Sequence, residues 1–254
     1  MNKKTSLLLC TILLATMPAC ARIDEINVYG IPPKEVVTAV IEINSHQYDK
    51  ALEHINAAID NSPDDVSLYN FKGILYEEMG NNEEAFKYYT IAISMKSDYP
   101  TPYFNRATLY REMGDYQQAM SDLTTAIKLN YPHSSAYVNR GYVRLEMKDI
   151  SGALEDFNIA LSREDTEGGY YGRALCNFKL QNYEAALSDA TNAIIKFSPI
   201  NPDAYLLQGQ AKIKLNKYEE GLQDIKWAKE QYLRVEDYDG AKEAENLYNY
   251  YSQY

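Results

Sequence analysis

Ala58, Ala92, Ala126 and Ala160 stand 34 residues apart, and Ala193 and Ala228 continue the row at steps of 33 and 35. Two further rows keep the same steps: Ala51, Ala85, Ala119, Ala153, Ala186 and Gly221, and Ala39, Gly73, Ala107, Gly141, Ala174 and Gly209. Every position in the three rows is Ala or Gly, and a fixed period of this size marks stacked repeats rather than one common core. The steps change in all three rows together, so one residue is lost between Ala160 and Ala174 and one is gained between Ala193 and Gly209. Those intervals hold turn-forming residues, Asp165 to Gly169 and Ser198 to Pro202, where length varies at little cost.

Within a period the apolar spacing is helical. Tyr103, Ala107 and Tyr110 recur at i, i+4 and i+7 on one face, and Met113-Gly114-Asp115-Tyr116 breaks the pattern with a Gly at a helix C-terminus. A second stripe, Ala119, Leu123, Ala126 and Ile127, ends before Pro132. Each period therefore predicts helix, tight turn, helix. Small residues on facing stripes let the two helices approach closely, and a pair this short buries its apolar face only when the next pair stacks on it.

These residues resemble the tetratricopeptide repeat family over about Pro33 to Val235, as six repeats. Tyr69, Tyr103, Tyr137, Tyr170 and Tyr205 stand in the family's Trp place, Gly73, Gly141 and Gly209 in its Gly place, and Tyr76 and Tyr110 in its Tyr place. The turn carries Gly80, Gly114 and the aromatics Tyr48, Tyr116, Tyr183 and Tyr218. The first repeat departs, with Glu35 in place of the leading aromatic, and the terminal Pro keeps its position only as Pro63. The resemblance implies an all-α, right-handed α-solenoid of about six helix-turn-helix repeats over residues 34–235. It also accounts for half of an unusual tyrosine content, 24 residues in 254.

The remaining segments read differently. Residues 236–254 do not complete a repeat. Ala241, Ala244, Tyr248 and Tyr251 share one helical face, which reads either as a capping helix over the last repeat or as an aromatic partner site with Tyr250 and Tyr254. At the other end, Lys3 and Lys4 precede an apolar run from Leu7 to Ala15, the pattern of an export signal over residues 1–19 and too short to span a bilayer. Met17-Pro18-Ala19-Cys20 resembles the lipobox of bacterial lipoproteins, which implies lipidation at Cys20, although Met17 and Pro18 depart from the usual residues. Cleavage after Ala21 is the alternative, since Ala19-Cys20-Ala21 also fits a small-x-small site. Residues 20–33, with Gly30 and Pro32-Pro33, read as a tether. The lipoprotein resemblance implies an outer-membrane location in the cell envelope, with a soluble periplasmic or secreted form as the alternative.

Composition excludes several function classes. A net charge of -11 disfavours binding to phosphate backbones, which rests on Lys and Arg displacing counterions, so no nucleic-acid partner is expected. His46, His54 and His133 are too scattered for a catalytic or metal-ligating set, and there is no Cys-x-x-Cys, phosphate loop or Gly-x-Ser-x-Gly elbow. Neither a catalytic residue, a metal nor a cofactor is expected. Cys176, in Ala174-Leu175-Cys176-Asn177-Phe178, reads as a buried structural thiol.

What remains is a surface. In the family that the chain resembles, the first helix of each pair lines a concave groove. That register points to Asn70, Ile74, Phe104, Asn105, Thr108, Arg111, Val138, Asn139, Tyr142, Leu145, Tyr171, Leu175 and Phe178, of which Phe104, Val138 and Tyr171 are equally explained by packing between repeats. Asn105 and Asn139 occupy matching places and resemble the asparagine ladder with which some members hold a peptide backbone, an amide being both donor and acceptor. Phe71 and Gly172 interrupt that ladder. The carboxylate-clamp pattern is absent, because its places hold Asn70, Ile74, Phe104 and Val138. The expected function is a non-enzymatic scaffold for a protein or peptide partner, with Asn70, Asn105, Arg111, Asn139, Tyr142, Tyr171 and Phe178 as the contact residues. The rival is a small-molecule or glycan receptor using Tyr142, Tyr171 and Phe178 as a stacking platform.

Overall fold

The computed structural model describes residues 34–253. The expected export signal, Cys20 and the tether lie outside the described residues, as does Tyr254. Among the described residues every regular element is an α-helix: α1 (Lys34–Asn44), α2 (Tyr48–Asn61), α3 (Val66–Glu78), α4 (Asn82–Met95), α5 (Pro100–Glu112), α6 (Tyr116–Lys128), α7 (Ser135–Glu146), α8 (Ile150–Arg163), α9 (Glu167–Lys179), α10 (Tyr183–Lys196), α11 (Pro202–Lys214), α12 (Tyr218–Arg234) and α13 (Tyr238–Tyr251). Six helix-turn-helix pairs and a last helix make a helical-repeat solenoid, as the period predicts. The loops over 164–166 and 197–201 are where the step shortens and lengthens. The chain divides into two compact units between Pro132 and His133.

The first helix of every pair stops in the same way. His46, Gly80, Gly114, Lys148, Gln181 and Asn216 all lie in the left-handed region, with φ from 55° to 78°. At each, two backbone bonds close the helix: Gly80 N–H donates to the Glu77 carbonyl at 2.9 Å and Asn81 N–H to the Tyr76 carbonyl at 2.8 Å, and Gln181 and Asn182 repeat this onto Phe178 and Asn177 at 3.0 and 2.8 Å. The next residue opens the second helix. The side chains of Asn81, Asp115 and Asp149 accept from the N–H groups of Glu84, Gln118 and Gly152 at 3.2, 3.2 and 2.9 Å.

Packing inside a pair follows a trade in volume. In the unit ending at Pro132, a Cβ on Gly73 would lie 2.5 Å from the Tyr89 ring, so the glycine is what admits a fully buried tyrosine on α4. Where the matching place holds Ala107, the second helix carries the smaller Leu123. At the start of this unit Val36, Ala39, Val40 and Ile43 of α1 share one core with Ile55, Leu68, Phe71 and Leu75. In the unit beginning at His133, two glycines flank one ring: a Cβ on Gly141 or Gly172 would lie 2.8 or 2.2 Å from Phe157. Gly209 lies against the Gly221 carbonyl, where a Cβ would come within 2.7 Å. Helix α13 buries Gly240, Ala241 and Ala244, with Gly240 against Tyr232, and Lys229 of α12 bonds Glu245 at 2.7 Å. It covers the last pair, and leaves Tyr238 and Tyr250 exposed.

Two outcomes follow from this geometry. Gly172→Ala forces the Phe157 ring off its position and is expected to lower stability by about 1–3 kcal/mol, read as a drop in the urea midpoint at unchanged slope. Gln181→Gly relieves a left-handed non-glycine residue whose side chain is exposed. It is expected to be neutral or to raise the melting temperature, by up to about 1 kcal/mol in stability, because the gain is partly offset by the greater freedom of the unfolded chain.

Candidate functional site

A charged row ties the third, fourth and fifth pairs together. Arg106, Arg140 and Arg173 on the first helices each grip a buried aspartate sixteen residues on, Asp122, Asp156 and Asp189, through two bonds of 2.7–3.0 Å. These carboxylates are 0–5% exposed, and a bidentate guanidinium satisfies them where a lone buried charge would be costly. Hydrogen bonding to Asp189 raises the Arg173 pKa against the opposing effect of burial. The same row reaches the preceding pair through neutral acceptors: Lys72 to Asn56 at 2.6 Å, Arg106 to Thr90 at 3.2 Å, Arg173 to Asn158 at 3.1 Å and Gln208 to Thr191 at 2.7 Å. These residues build the body. Sequence reasoning passed over the row, although three arginines at steps of 34 and 33 with aspartates in step carried the signal.

The predicted contact residues fall on the other stripe of the first helices. In the unit ending at Pro132, Asn70 and Asn105 are both buried, and Asn105 Nδ2 donates to Asn70 Oδ1 at 3.1 Å, so the two amides are partly spent on each other. Arg111 is buried with Nη1 lacking a hydrogen-bond partner. Ile74 joins Tyr89 and Leu109 in a core cluster, and Phe104 stacks on Tyr131 with ring centres 4.5 Å apart.

In the unit beginning at His133, Asn139 is 1% exposed and neither amide atom has a hydrogen-bond partner. That is a costly state, about 1–3 kcal/mol for each unsatisfied group. Around the stripe, Tyr142 and Leu145 are half-buried beside Val138, and Tyr171, Leu175 and Phe178 are half-buried around Ala174, Ala190 and Leu207. The Tyr142 hydroxyl donates to the Gly168 carbonyl at 2.9 Å, and its ring stands edge-on to Phe157. Phe178 stands edge-on to Tyr183. The structure thus gives Tyr142, Leu145, Tyr171, Leu175 and Phe178 apolar surface within reach of solvent. Gly172 interrupts the ladder because Phe157 occupies the space its side chain would need.

Reactive groups are few. Burial pushes the Cys176 thiol up to about 12, leaving it protonated and inert at neutral pH. Among the described residues no group of three or more His, Cys, Asp or Glu is arranged to hold a metal ion, and no helix is long and apolar enough to cross a membrane. One carboxyl is displaced toward neutrality: burial raises Asp203 to about 6, with Asp237 and Glu243 adding repulsion, against the 2.5 Å hydrogen bond from Tyr232.

The family model for the tetratricopeptide repeat matches residues 39–100 and 104–169, and the chain belongs to that family. No curated protein matches it. Solved structures share the fold at low identity. YrrB, described as a TPR protein with an unusual peptide-binding site, is 19% identical, covering 76% of this chain and 97% of its own, with a TM-score of 0.61. A tetratricopeptide repeat protein from Parabacteroides merdae is 21% identical over 84% of this chain and 91% of its own, TM-score 0.62. PilF of Pseudomonas aeruginosa is 17% identical over 84% and 94%, TM-score 0.72. The fold is thus one compatible with a protein-binding scaffold.

The Asp203 shift has a definite sign. Its folded-state pKa lies above the unfolded value near 3.8, so the native state gains protons as pH falls through about 6, and stability from this group is lost as pH rises. Melting temperature is expected to climb between pH 7 and pH 5 relative to Asp203→Asn, and the variant is expected to be the more stable at pH 7 by at most about 3 kcal/mol.

Proposed function

We propose that this chain is an exported, lipid-anchored, non-enzymatic scaffold that holds a peptide or protein partner along the first-helix stripe. Contacts come from Asn70, Asn105, Arg111, Asn139, Tyr142, Tyr171 and Phe178, and the anchor is a lipid on Cys20 in the outer part of the cell envelope. One observation carries the reading: consecutive repeats present half-buried Tyr142, Leu145, Tyr171, Leu175 and Phe178 beside an Asn139 amide with neither atom satisfied. Apolar side chains supply area, and the Asn139 amide, 1% exposed, meets a peptide group once the neighbouring side chains move aside, a division of labour suited to a backbone held without reading every side chain. YrrB, which shares the fold, is described as having a peptide-binding site, which favours the same reading.

A photocrosslinking residue at Tyr171 or Leu175 in the full chain in cells is expected to trap one major partner. Leu175→Ser with Phe178→Ala should reduce that product about ten-fold without altering the far-UV spectrum; undiminished crosslinking would move the partner off this stripe. Palmitate labelling tests the anchor separately, since wild type should incorporate label and Cys20→Ser should not.

A further inference from the structure

One place in the repeat changes chemistry along the chain. Tyr76, Tyr110, Arg144, Asn177 and Lys212 follow one another at steps of 34, 34, 33 and 35, so they are counterparts. In the first two the ring fills the place: Tyr76 stacks on Tyr88 and Tyr110 stands edge-on to Phe86. In the fourth repeat Arg144 fills it. Its Nη1 donates to the Gly152 carbonyl at 2.7 Å and lies 3.0 Å from Asp156 Oδ2, a carboxylate that Arg140 already grips. In the sixth, Lys212 lies 2.8 Å from Asp224.

In the fifth repeat the place holds Asn177, too short to fill it. The counterparts of Gly152 and Asp156, namely Ala185 and Asp189, line an open cleft of about 370 Å³ together with Leu154, Asn158, Asn177, Ser188 and Arg173, whose guanidinium holds Asp189 as Arg140 holds Asp156. Asn177 reaches Asp189 Oδ2 through Nδ2 at 3.2 Å, replacing one donor of Arg144 but none of its charge. Asp189 is 5% exposed and Asn177 8%, so the floor of the cleft is a preorganised polar surface rather than a mobile rim.

The geometry points to a site for the guanidinium of an arginine side chain from a partner protein, seated where the chain's own Arg144 sits one repeat earlier. The molecule supplies the precedent that decides the chemistry. Arg140 and Arg144 share Asp156, so a second cation beside a carboxylate already held by an arginine is accommodated in this fold. The lining residues match as well: Ala185, Ser188 and Asp189 bring a helix carbonyl, a hydroxyl and a carboxylate, acceptors for a group that only donates. A net charge of -11 favours the approach of a cation. Arg144 also lies 3.7 Å from Asp149, whose counterpart is Asn182, so the incoming side chain meets one carboxylate where Arg144 meets two. Recognition by the cleft alone is therefore weak, on the order of millimolar, and acts as one contact within a larger interface.

The test is a titration of the isotope-labelled full chain with N-acetyl-arginine amide, followed by amide chemical shifts, against N-acetyl-citrulline amide, a neutral compound of nearly the same shape. Saturable shifts centred on Ala185, Ser188 and Asp189 are expected with the arginine compound, and at least about five-fold weaker binding with the citrulline compound. Asn177→Arg should abolish the shifts while holding or raising the melting temperature, because its own guanidinium takes the site. Ala185→Met, a change at an exposed position, should abolish them by obstruction. No saturation, equal binding of the two compounds, or binding that survives Ala185→Met would each overturn the assignment.

Discussion

Everything in this structure depends on how closely two helices of a pair can approach. The rows of Ala and Gly remove side-chain volume from facing stripes, and in the second, third and fourth pairs the space is refilled by one residue whose size depends on how much was removed. Tyr89 and Phe157 are possible because glycine stands opposite; Leu123 accompanies an alanine. Interiors are packed at crystal-like density, so neither partner in such a pair can change without the other. The rows of small residues recur six times, and the helical turns, the polar ties and the candidate site are all hung on the spacing they set.

That spacing separates two stripes on each first helix. One carries the arginine row and belongs to the body, with buried carboxylates gripped bidentately. The other carries the asparagines and the half-buried apolar residues. Asn105 and Asn139 occupy the same place in adjacent repeats yet differ in state: the first donates to Asn70, while the second has neither amide atom satisfied. An unsatisfied buried amide is tolerated only where the surrounding fold is stable enough to carry its cost.

The fold was legible because its signal is volume at fixed intervals, which a single sequence displays directly. Gly80 and Gly114 announced two of the turns, but the same left-handed turn is made by His46, Lys148, Gln181 and Asn216, since the two backbone bonds that close the helix do not require glycine. The Arg–Asp row was visible as spacing and hidden by expectation, because charged residues in a helical pattern read as a solvated face. The site was legible only in register. The stripe could be named, but whether an amide on it finds a partner depends on residues a full repeat away. The cleft at Asn177 was invisible for a related reason: a small residue becomes informative only beside the larger ones in the neighbouring repeats.

The arginine row also governs how the chain can change length. Each aspartate is neutralised by an arginine of its own pair, while the bonds crossing to the preceding pair end on Asn56, Thr90, Asn158 and Thr191, none of them charged. The arginine–aspartate tie is therefore internal to its pair, whereas charged contacts elsewhere do cross: Asn201 reaches Glu167 of the preceding pair, and Lys229 pairs with Glu245 of the last helix, both at 2.7 Å. Inserting or deleting one whole pair leaves each of these buried aspartates with its own arginine. As far as this row is concerned, the array can lengthen or shorten by duplication and loss of its unit without first evolving a compensating charge.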